Sequence, residues 1–170
     1  MKTNWYRQTS GLVLLFVIGA TLDAQQTPAP AERPIPEQLE TFVPVTDEML
    51  RQPKPENWIN FRNGYNLWGY SPLDEIDDNN VSELRLVWSR AMQHGYQEVE
   101  PIVYDGVMFL ANVEDIVQAL DATTGDLLWE YRRNLPDNIA NVTGTRYRYR
   151  NVSIYDDKIF LATNDAFLVA

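Results

Sequence analysis

The chain of 170 residues contains no cysteine, which excludes disulfides, thiolate metal sites and a lipid-modified cysteine anchor. Histidine occurs once, at His94, and we interpret it as a surface-loop residue in preference to a catalytic base. Basic residues are also few, with 14 Lys and Arg against 24 Asp and Glu and a formal net charge of −10. This balance argues against a nucleic-acid partner, which would need a basic face.

Long hydrophobic runs are missing as well. The unbroken run of apolar or small residues at Leu12–Ala20 is far shorter than the roughly 20 residues that span a bilayer. Lys2 and Arg7 precede this run, and alanines suited to cleavage follow it. Residues 1–24 are therefore predicted to be a secretory signal peptide, with an uncleaved N-terminal anchor as the alternative. Either form predicts export, which in a bacterium means the periplasm.

Proline is concentrated in one segment, since residues 25–55 hold seven of the ten prolines. Proline fits neither helix nor sheet interiors, so this segment is predicted to be a linker or a wrapped extended arm. Within it, Val45–Leu50 suits one helical turn with Thr46 as the N-cap. Residues 56–170 would then form the folded domain.

A turn sequence stands at the centre of the second half. Residues 119–129 fit the pattern Ala-x-Asp-x-x-Thr-Gly-x-x-x-Trp. Gly125 accepts positive φ in a tight hairpin, and the carboxylate of Asp121 can accept backbone N–H groups at its mouth. The second strand would carry Trp129 and Tyr131 on one face.

The sequence also repeats. Val103–Ala111 aligns with Ile154–Ala162 at an offset of 51 residues. A period of about 50 residues built from hairpins indicates propeller blades. The fold class is therefore all-β, with one complete blade and part of a second, and the chain is interpreted as a fragment. Strands are predicted over residues 85–90, 101–104, 107–112, 116–121, 127–132, 152–155, 158–163 and 166–170.

The Asp121–Trp129 pattern resembles the tryptophan-docking motif of quinoprotein dehydrogenases, which use pyrroloquinoline quinone (PQQ). In that family the Trp of one blade packs on the next blade. Residues 57–76 resemble the segment that opens mature PQQ-dependent alcohol dehydrogenases, and Asn80–Arg90 resembles the strand that follows it. The resemblance implies the first blades of an eight-bladed β-propeller. It also implies an enzyme that oxidises an alcohol or sugar by hydride transfer to PQQ.

The connection between the repeats is ten residues longer than the preceding one, and the extra residues fall in Asn134–Asn151. Such insertions lie on one face of a repeat protein and commonly build binding sites. An arginine cluster there indicates an anionic ligand, because Arg pairs bidentately with carboxylates and PQQ has three. The alternative is a solvated strand whose arginines pair with surface acids. The cluster comprises Arg132, Arg133, Arg146, Arg148 and Arg150.

Two short segments resemble motifs that contact the cofactor in this family. Arg150-Asn151-Val152 resembles the family's Arg-Gly-Val, whose Arg contacts the quinone, and Gln97–Pro101 resembles its Gln-Glu-x-x-Pro, whose Glu contacts PQQ. Glu98 stands 52 positions before Arg150, so both precede inner strands of adjacent blades on the same face. We therefore expect Glu98 and Arg150 to bind PQQ, with support from Arg148. Glu100 is the less favoured contact.

One departure from the family concerns Gly144 and Thr145, which stand where its alcohol dehydrogenases usually have two adjacent cysteines. Glucose-type quinoproteins lack that disulfide too, so the departure argues against methanol-dehydrogenase-like activity and not against PQQ. The family's Ca²⁺ ligands and catalytic Asp come from later blades, so both are expected beyond Ala170.

The resemblance implies an alcohol or sugar substrate and a cytochrome or quinone electron acceptor, with at most indirect membrane association. Two alternatives remain at this point. One is a non-catalytic propeller with the same repeat, acting as a protein-interaction or assembly module. The other is a sugar-binding β domain, which only the density of aromatic residues favours.

Overall fold

Short helices come first and strands dominate the second half of the part of the chain that the structure, a computed structural model, describes: residues 35–143, 148–149 and 151–170. The predicted signal peptide, Arg150, Gly144 and Thr145 lie outside these residues. The helices are α1 (Glu37–Glu40), α2 (Asp47–Arg51) and α3 (Ile139–Thr143). The strands are β1 (Tyr96–Gln97), β2 (Ile102–Tyr104), β3 (Val107–Asn112), β4 (Ile116–Asp121), β5 (Leu127–Arg132), β6 (Arg148–Tyr149), β7 (Ser153–Tyr155), β8 (Lys158–Ala162) and β9 (Leu168–Val169).

Strands β2 to β5 form one antiparallel sheet in the order of the chain. β4 is buried along all but its last residue, because both of its faces are covered, whereas β5 is at the sheet edge and half exposed. Four consecutive hairpin-connected strands make a complete propeller blade. The predicted strands over 107–112, 116–121 and 127–132 coincide with β3, β4 and β5, so the all-β prediction is confirmed.

Left-handed turn residues close the hairpins of this blade. Between β2 and β3, Asp105 and Gly106 have φ of 49° and 77°, as a two-residue turn of twisted strands requires. Between β4 and β5, Gly125 has φ of 77°. The carboxylate of Asp121 accepts hydrogen bonds from the backbone N–H groups of Thr123 (2.7 Å) and Thr124 (3.0 Å). The predicted chemistry of this turn is confirmed.

The second sheet repeats the first. It contains β7, β8 and β9 in sequence order, and its first turn has Asp156 at φ 53°, matching Asp105 at the 51-residue offset. Its buried Ile154 and Leu161 share one apolar core with Ile102 and Phe109 of the first blade. The two blades therefore pack against each other, and the predicted repeat is confirmed.

Residues 85–90 are not a strand, contrary to the prediction. The backbone from Leu84 to Arg90 has no regular secondary structure, and Leu86 and Val87 are 85% and 81% exposed. A strand exists only where a neighbouring strand completes its hydrogen bonds, and none in the described part of the chain pairs with this segment. Two side chains connect it to the first blade: Nε1 of Trp88 donates to the backbone oxygen of Ala122 (3.1 Å), and Nη1 of Arg90 donates to that of Gly125 (3.5 Å).

The described part of the proline-rich segment is packed on both blades. Thr46 caps α2 by accepting a hydrogen bond from the N–H of Met49 (3.4 Å), which confirms the predicted helical turn. Val45 is only 2% exposed and exchanges two backbone hydrogen bonds with Asp156. The domain boundary at residue 55 stays a prediction.

Among the described residues, no helix combines the length and the apolar character that crossing a bilayer would take.

Candidate functional site

The antiparallel order of the strands separates two ends of the blades. The tight hairpins 105–106, 122–126 and 156–157 share one end. The other end, which we call the connection face, carries residues 92–100, 113–115, 133–143, 148–149, 151 and 163–167. Glu98 and the described part of loop 134–151 are both on this face, as the sequence predicted from the repeat.

A two-stranded parallel ladder brings the two halves of the predicted site together. β1 pairs with β6, with Tyr96 opposite Arg148 and Gln97 opposite Tyr149. Glu98 directly follows β1 and is exposed, and Arg150 directly follows β6 in the sequence. The ladder therefore aligns the two strands that lead to these residues. Arg150 and the side chain of Arg148 lie outside what the structure describes, so their contacts with PQQ stay predictions.

Gln97 fixes the position of β1. Its Nε2 donates to Oδ1 of Asn112 (2.5 Å) and to the backbone oxygen of Gln93 (3.2 Å). Asn112 is 1% exposed, and the same Oδ1 also accepts from the N–H of Val113 (3.0 Å). Sequence reasoning assigned no role to Gln97 or Asn112. The buried amide at the end of β3 holds the backbone beside Glu98 in place.

Glu100 is occupied by structural contacts. Its carboxylate accepts hydrogen bonds from Nε1 of Trp58 (2.6 Å) and from the N–H of Arg62 (2.7 Å). Its own N–H donates to Oδ1 of Asn151 (2.7 Å), at the end of the long loop. These bonds tie the aromatic opening segment to the connection face. They agree with the lower rank that the sequence gave Glu100 as a cofactor contact.

Two arginines of the predicted anion-binding cluster are already paired. Nε of Arg132 lies 2.6 Å from the Glu130 carboxylate. Arg133 forms a bidentate pair with Asp165 of the next blade, at 2.8 Å from both Nε and Nη2. For these two residues the structure agrees with the alternative of arginines that pair with acids of the protein. A ligand-binding role of Arg146, Arg148 and Arg150 stays a prediction.

The pairing of Arg133 with Asp165 is strong for a surface contact. The guanidinium also stacks on the ring of Phe167, 4.5 Å from its centroid. Hydrogen bonds from Arg133 and from the Thr163 hydroxyl (2.6 Å) lower the pKa of Asp165 to about 2. The carboxylate is therefore ionised at any physiological pH.

Asp115 is a buried acid on the same face. It is completely inaccessible to solvent, and its oxygens accept hydrogen bonds from the N–H (2.7 Å) and Nδ2 (2.5 Å) of Asn164. Burial raises the pKa of the Asp115 carboxyl, although the hydrogen bonds from Asn164 act in the opposite direction. Neither residue was identified from the sequence. The repeat could have indicated the position of Asn164, because Asn164 stands 51 positions after Val113. It therefore lies in the turn of the second blade that corresponds to the turn containing Asp115.

His94 is exposed, as a surface-loop residue would be. In the described part of the chain, no group of three or more His, Cys, Asp or Glu residues is arranged to hold a metal ion. The location of the Ca²⁺ ligands and the catalytic base beyond Ala170 stays a prediction.

Comparison with known proteins identifies the class of this propeller. Residues 58–170 match the PQQ family described as "Glucose/ethanol/alcohol dehydrogenase, beta-propeller domain". The match covers more than half of the chain. The chain therefore belongs to this family of PQQ-dependent dehydrogenase propellers, and the family resemblance found in the sequence is confirmed.

Individual relatives agree with the family match. The chain is 41% identical over 130 residues to the quinoprotein alcohol dehydrogenase PedH of Pseudomonas putida, covering 73% of this chain and 21% of that protein. It is 38% identical over 117 residues to the dehydrogenase subunit of a quinone alcohol dehydrogenase of Acetobacter aceti, covering 68% and 16%. The chain thus spans only about a fifth of the length of the curated relatives that it matches.

Solved structures show the same fold. The quinohemoprotein alcohol dehydrogenase ADHIIG of Pseudomonas putida HK5 superposes with a TM-score of 0.65 at 30% identity, covering 72% of this chain and 19% of that one. A europium-containing methanol dehydrogenase superposes with a TM-score of 0.62 at 27% identity, covering 69% and 21%.

The connection face suits an anionic cofactor in its donor chemistry. The parallel ladder aligns the strands before Glu98 and Arg150, and Asn151 holds the end of the arginine-bearing loop. Arg132 and Arg133 are paired with Glu130 and Asp165, and the cofactor contacts of the loop's other arginines stay predictions.

Proposed function

We propose that this chain is the N-terminal part of a PQQ-dependent dehydrogenase that oxidises an alcohol or sugar. The observation that carries the proposal is the β1–β6 ladder, which aligns the strands before Glu98 and Arg150 on one face of a propeller of this family. Relatives named as alcohol dehydrogenases support the alcohol as substrate class.

Within this chain, Glu98, Arg150 and Arg148 would hold the cofactor. PQQ, when bound, supplies the quinone carbon that accepts hydride from the substrate. Arg150 would pair with a PQQ carboxylate or quinone oxygen, since a guanidinium offers two parallel N–H donors. Glu98 would accept a hydrogen bond, or pair with an arginine, so that its charge is balanced beside the anion.

The proposal includes partners and location. Electrons would leave to a cytochrome or to a quinone, which agrees with relatives named quinohemoproteins. The charged start and short apolar run of residues 1–24 support export to the periplasm. Mass spectrometry of the native protein tests export, because an intact Met1 in a cytoplasmic fraction would contradict it.

Titration of the full-length apoprotein with PQQ tests the site. Replacing Arg150 by alanine leaves cofactor charge uncompensated, which costs roughly 3–5 kcal/mol in a partly buried pair. The PQQ dissociation constant should rise by about two to four decades. Glu98→Gln should weaken binding by a smaller factor, because it keeps the shape and removes only the charge.

Arg51→Ala is the matched control, since Arg51 is an exposed arginine on α2 that pairs with Asp47 on the same helix. It should bind PQQ as the wild type does. An Arg150→Ala protein with wild-type affinity would refute the site. A wild-type protein that neither binds PQQ nor oxidises alcohols would favour the assembly-module alternative.

We further propose Ca²⁺ as the metal of the complete enzyme, with ligands from outside this chain. Removal of metal with a chelator should abolish alcohol oxidation, and added Ca²⁺ should restore it. Because a similar structure is a europium-containing methanol dehydrogenase, Eu³⁺ is the comparison. Restoration by Eu³⁺ but not by Ca²⁺ would overturn the choice of metal while leaving the PQQ proposal intact.

A further inference from the structure

We propose that Gln97 and Asn112 are positioning residues for cofactor binding, because the hydrogen bond between them holds the backbone from which the Glu98 side chain extends. Neither residue would contact PQQ itself. The inference rests on the proposed function, since it requires that Glu98 contact the cofactor.

Asn112 is a fixed point of the first blade. It ends β3, lies opposite Ile116 of β4 in the sheet and is 1% exposed. Its Oδ1 accepts hydrogen bonds from the backbone N–H groups of Val113 (3.0 Å) and Gln93 (3.2 Å). Because two backbone donors face this atom, it must be the oxygen of the amide, and any further partner has to be a donor.

Gln97 supplies that donor and closes a short loop. Its Nε2 donates to Oδ1 of Asn112 (2.5 Å) and to the backbone oxygen of Gln93 (3.2 Å). The N–H of Gln93 is bonded to the same oxygen of Asn112, so residues 93–97 form a loop that is closed on the end of β3. This loop ends one residue before Glu98.

The Gln97 amide is better explained by the geometry it imposes than by stability. Its Oε1 is buried, and no hydrogen-bond donor among the described residues reaches it. A buried acceptor without a donor destabilises a protein. An apolar side chain of the same length would avoid that cost, but it would leave the loop 93–97 without the two hydrogen bonds that Nε2 donates.

The backbone is also held on the other side of Glu98. Val99 packs against the hydrophobic core, and the Glu100 carboxylate accepts two hydrogen bonds from the aromatic opening segment. The exposed side chain of Glu98 thus extends from a backbone that is fixed both before and after it. A group that is held in place beforehand has less freedom to lose on binding. Releasing Gln97 should therefore weaken PQQ binding without removing a group that contacts PQQ.

Titration of the full-length apoprotein with PQQ, followed by quenching of tryptophan fluorescence, tests the inference. Gln97→Met should raise the PQQ dissociation constant about 3- to 10-fold, the change expected when one more side chain is ordered on binding. Asn112→Ala should raise it at least as much, because it also releases the N–H of Gln93. The double variant should be no worse than Asn112→Ala alone, since both changes remove the same contact. If Asn112→Ala fails to fold, Gln97→Met carries the test.

A second background separates the positioning of Glu98 from a general loss of structure. In the Glu98→Ala protein, Gln97→Met should change the PQQ dissociation constant by less than about twofold, because the group that it positions is already missing. Its effect on the melting temperature should be the same in both backgrounds. An equal loss of PQQ affinity in both backgrounds would show that Gln97 does not act through Glu98, and would overturn the inference.

Gln118→Met is the matched control. Gln118 is 6% exposed, its Nε2 donates to the Glu130 carboxylate (2.7 Å), and its Oε1 is likewise buried with no donor among the described residues. It lies within β4 and bonds across to β5 instead of to loop 93–97, so this variant should bind PQQ as the wild type does.

The same titrations distinguish failure of the inference from failure of the proposed function. If Glu98→Ala weakens PQQ binding but Gln97→Met and Asn112→Ala bind PQQ with wild-type affinity, the contact is only structural and the inference is wrong. If Glu98→Ala has wild-type affinity, or the wild-type protein binds no PQQ, the proposed cofactor site fails and the inference fails with it.

Discussion

At the scale of single residues, the contact between Trp88 and Gly125 joins the segment before the first blade to that blade. A Cβ built on Gly125 would lie 2.6 Å from two atoms of the Trp88 indole, and Gly125 has φ of 77°. The ring thus packs on bare backbone while its Nε1 bonds to Ala122. The observed packing of a Trp on the Gly of the following motif agrees with the docking that the family resemblance implied.

Gly125→Ala should therefore destabilise the protein by two separate effects. The left-handed backbone costs a residue with Cβ about 1–2 kcal/mol. Displacing the indole adds about 1–3 kcal/mol of overpacking. We expect a total loss of about 3 kcal/mol in the free energy of unfolding, measured by urea denaturation, with a red shift in tryptophan emission as the ring becomes solvated.

Gly106→Ala is the matched control for this substitution. Gly106 has the same φ of 77°, and among the described residues no atom beyond its chain neighbours lies within 4 Å of an added Cβ. It should show only the backbone cost and no change in emission. Equal losses for the two alanine variants would mean that the indole contact contributes nothing to stability.

Protonation of Asp115 and of Asp165 should have opposite effects on stability. The pKa of Asp165 is lowered to about 2 in the folded protein, against about 3.9 in an unfolded chain. Its stabilising contribution is therefore complete above the unfolded value and is lost as the pH falls from about 4 to about 2. The pKa of Asp115 is raised, so its ionisation opposes folding, and protonation of Asp115 on acidification favours the folded state.

Melting temperatures between pH 6 and pH 2.5 should separate these contributions. The advantage of the wild type over Asp165→Asn should shrink as the pH falls, because the wild type loses its ion pair with Arg133. As the pH falls and Asp115 becomes protonated, the melting temperature of the wild type should rise relative to that of Asp115→Asn. A wild-type advantage over Asp165→Asn that is constant across this range would contradict the lowered pKa.

At the scale of elements, the segment before the first blade takes part in the core of both blades. Val45 is 2% exposed in a cluster that includes Tyr104 of the first blade and Ile154 of the second. The hydroxyl of Tyr104 donates to the backbone oxygen of Val43 (2.8 Å). The segment described from residue 35 onward is thus bonded to the sheets through backbone as well as side chains.

Val45→Ala should cost about 2 kcal/mol in the free energy of unfolding, because it removes two buried methyl groups and leaves a cavity between the blades. Val43→Ala is its control, since the Val43 side chain is 50% exposed and its backbone oxygen is unaffected. That change should stay within about 0.5 kcal/mol. Similar losses in both variants, measured by urea denaturation, would show that the segment is not part of the core.

The hairpins could be predicted from the sequence because their signals are local. Alternating apolar residues, Asp105-Gly106 and Thr124-Gly125 specify strands and turns within a few positions of one another. Segment 84–90 has the same local signals and is not a strand, since pairing depends on a neighbour that no local pattern reveals. The β1–β6 ladder escaped prediction for a related reason. Its two strands are 52 positions apart, close to the repeat offset, but two residues are too few for an alternating pattern to identify a strand.

At the scale of the whole molecule, the repeat predicted the face on which the candidate site lies. It did not predict which arginines on that face pair with acids of the protein. The 51-residue offset predicted that Glu98 and the long loop share one face, because antiparallel strands return equivalent connections to the same end. It could not show which arginines are already paired. Arg133 has the same charge as Arg150, and only the three-dimensional position of Asp165 shows that Arg133 is paired within the protein.

The described surface also predicts how the chain behaves by itself. Exposed large apolar side chains are concentrated along residues 61–87, where Trp68 is 78% and Leu86 is 85% exposed. Segment 84–90 adds backbone groups that no strand among the described residues pairs with. Unpaired extended backbone beside apolar side chains promotes association between molecules. Residues 35–170 produced alone should therefore self-associate and bind a dye that reports exposed apolar surface.

Light scattering coupled to size exclusion measures this association. One substitution tests whether segment 84–90 mediates it. Leu86→Lys should reduce the apparent mass of the isolated chain, because a lysine on an unpaired extended segment opposes edge-to-edge contact. Ile35→Lys adds the same charge at a residue that is 65% exposed but lies far from segment 84–90 in the sequence, so it should change the mass little. Equal effects of the two lysines would mean that net charge, and not segment 84–90, governs the association. A monomer with a sharp cooperative melt would contradict the prediction as a whole.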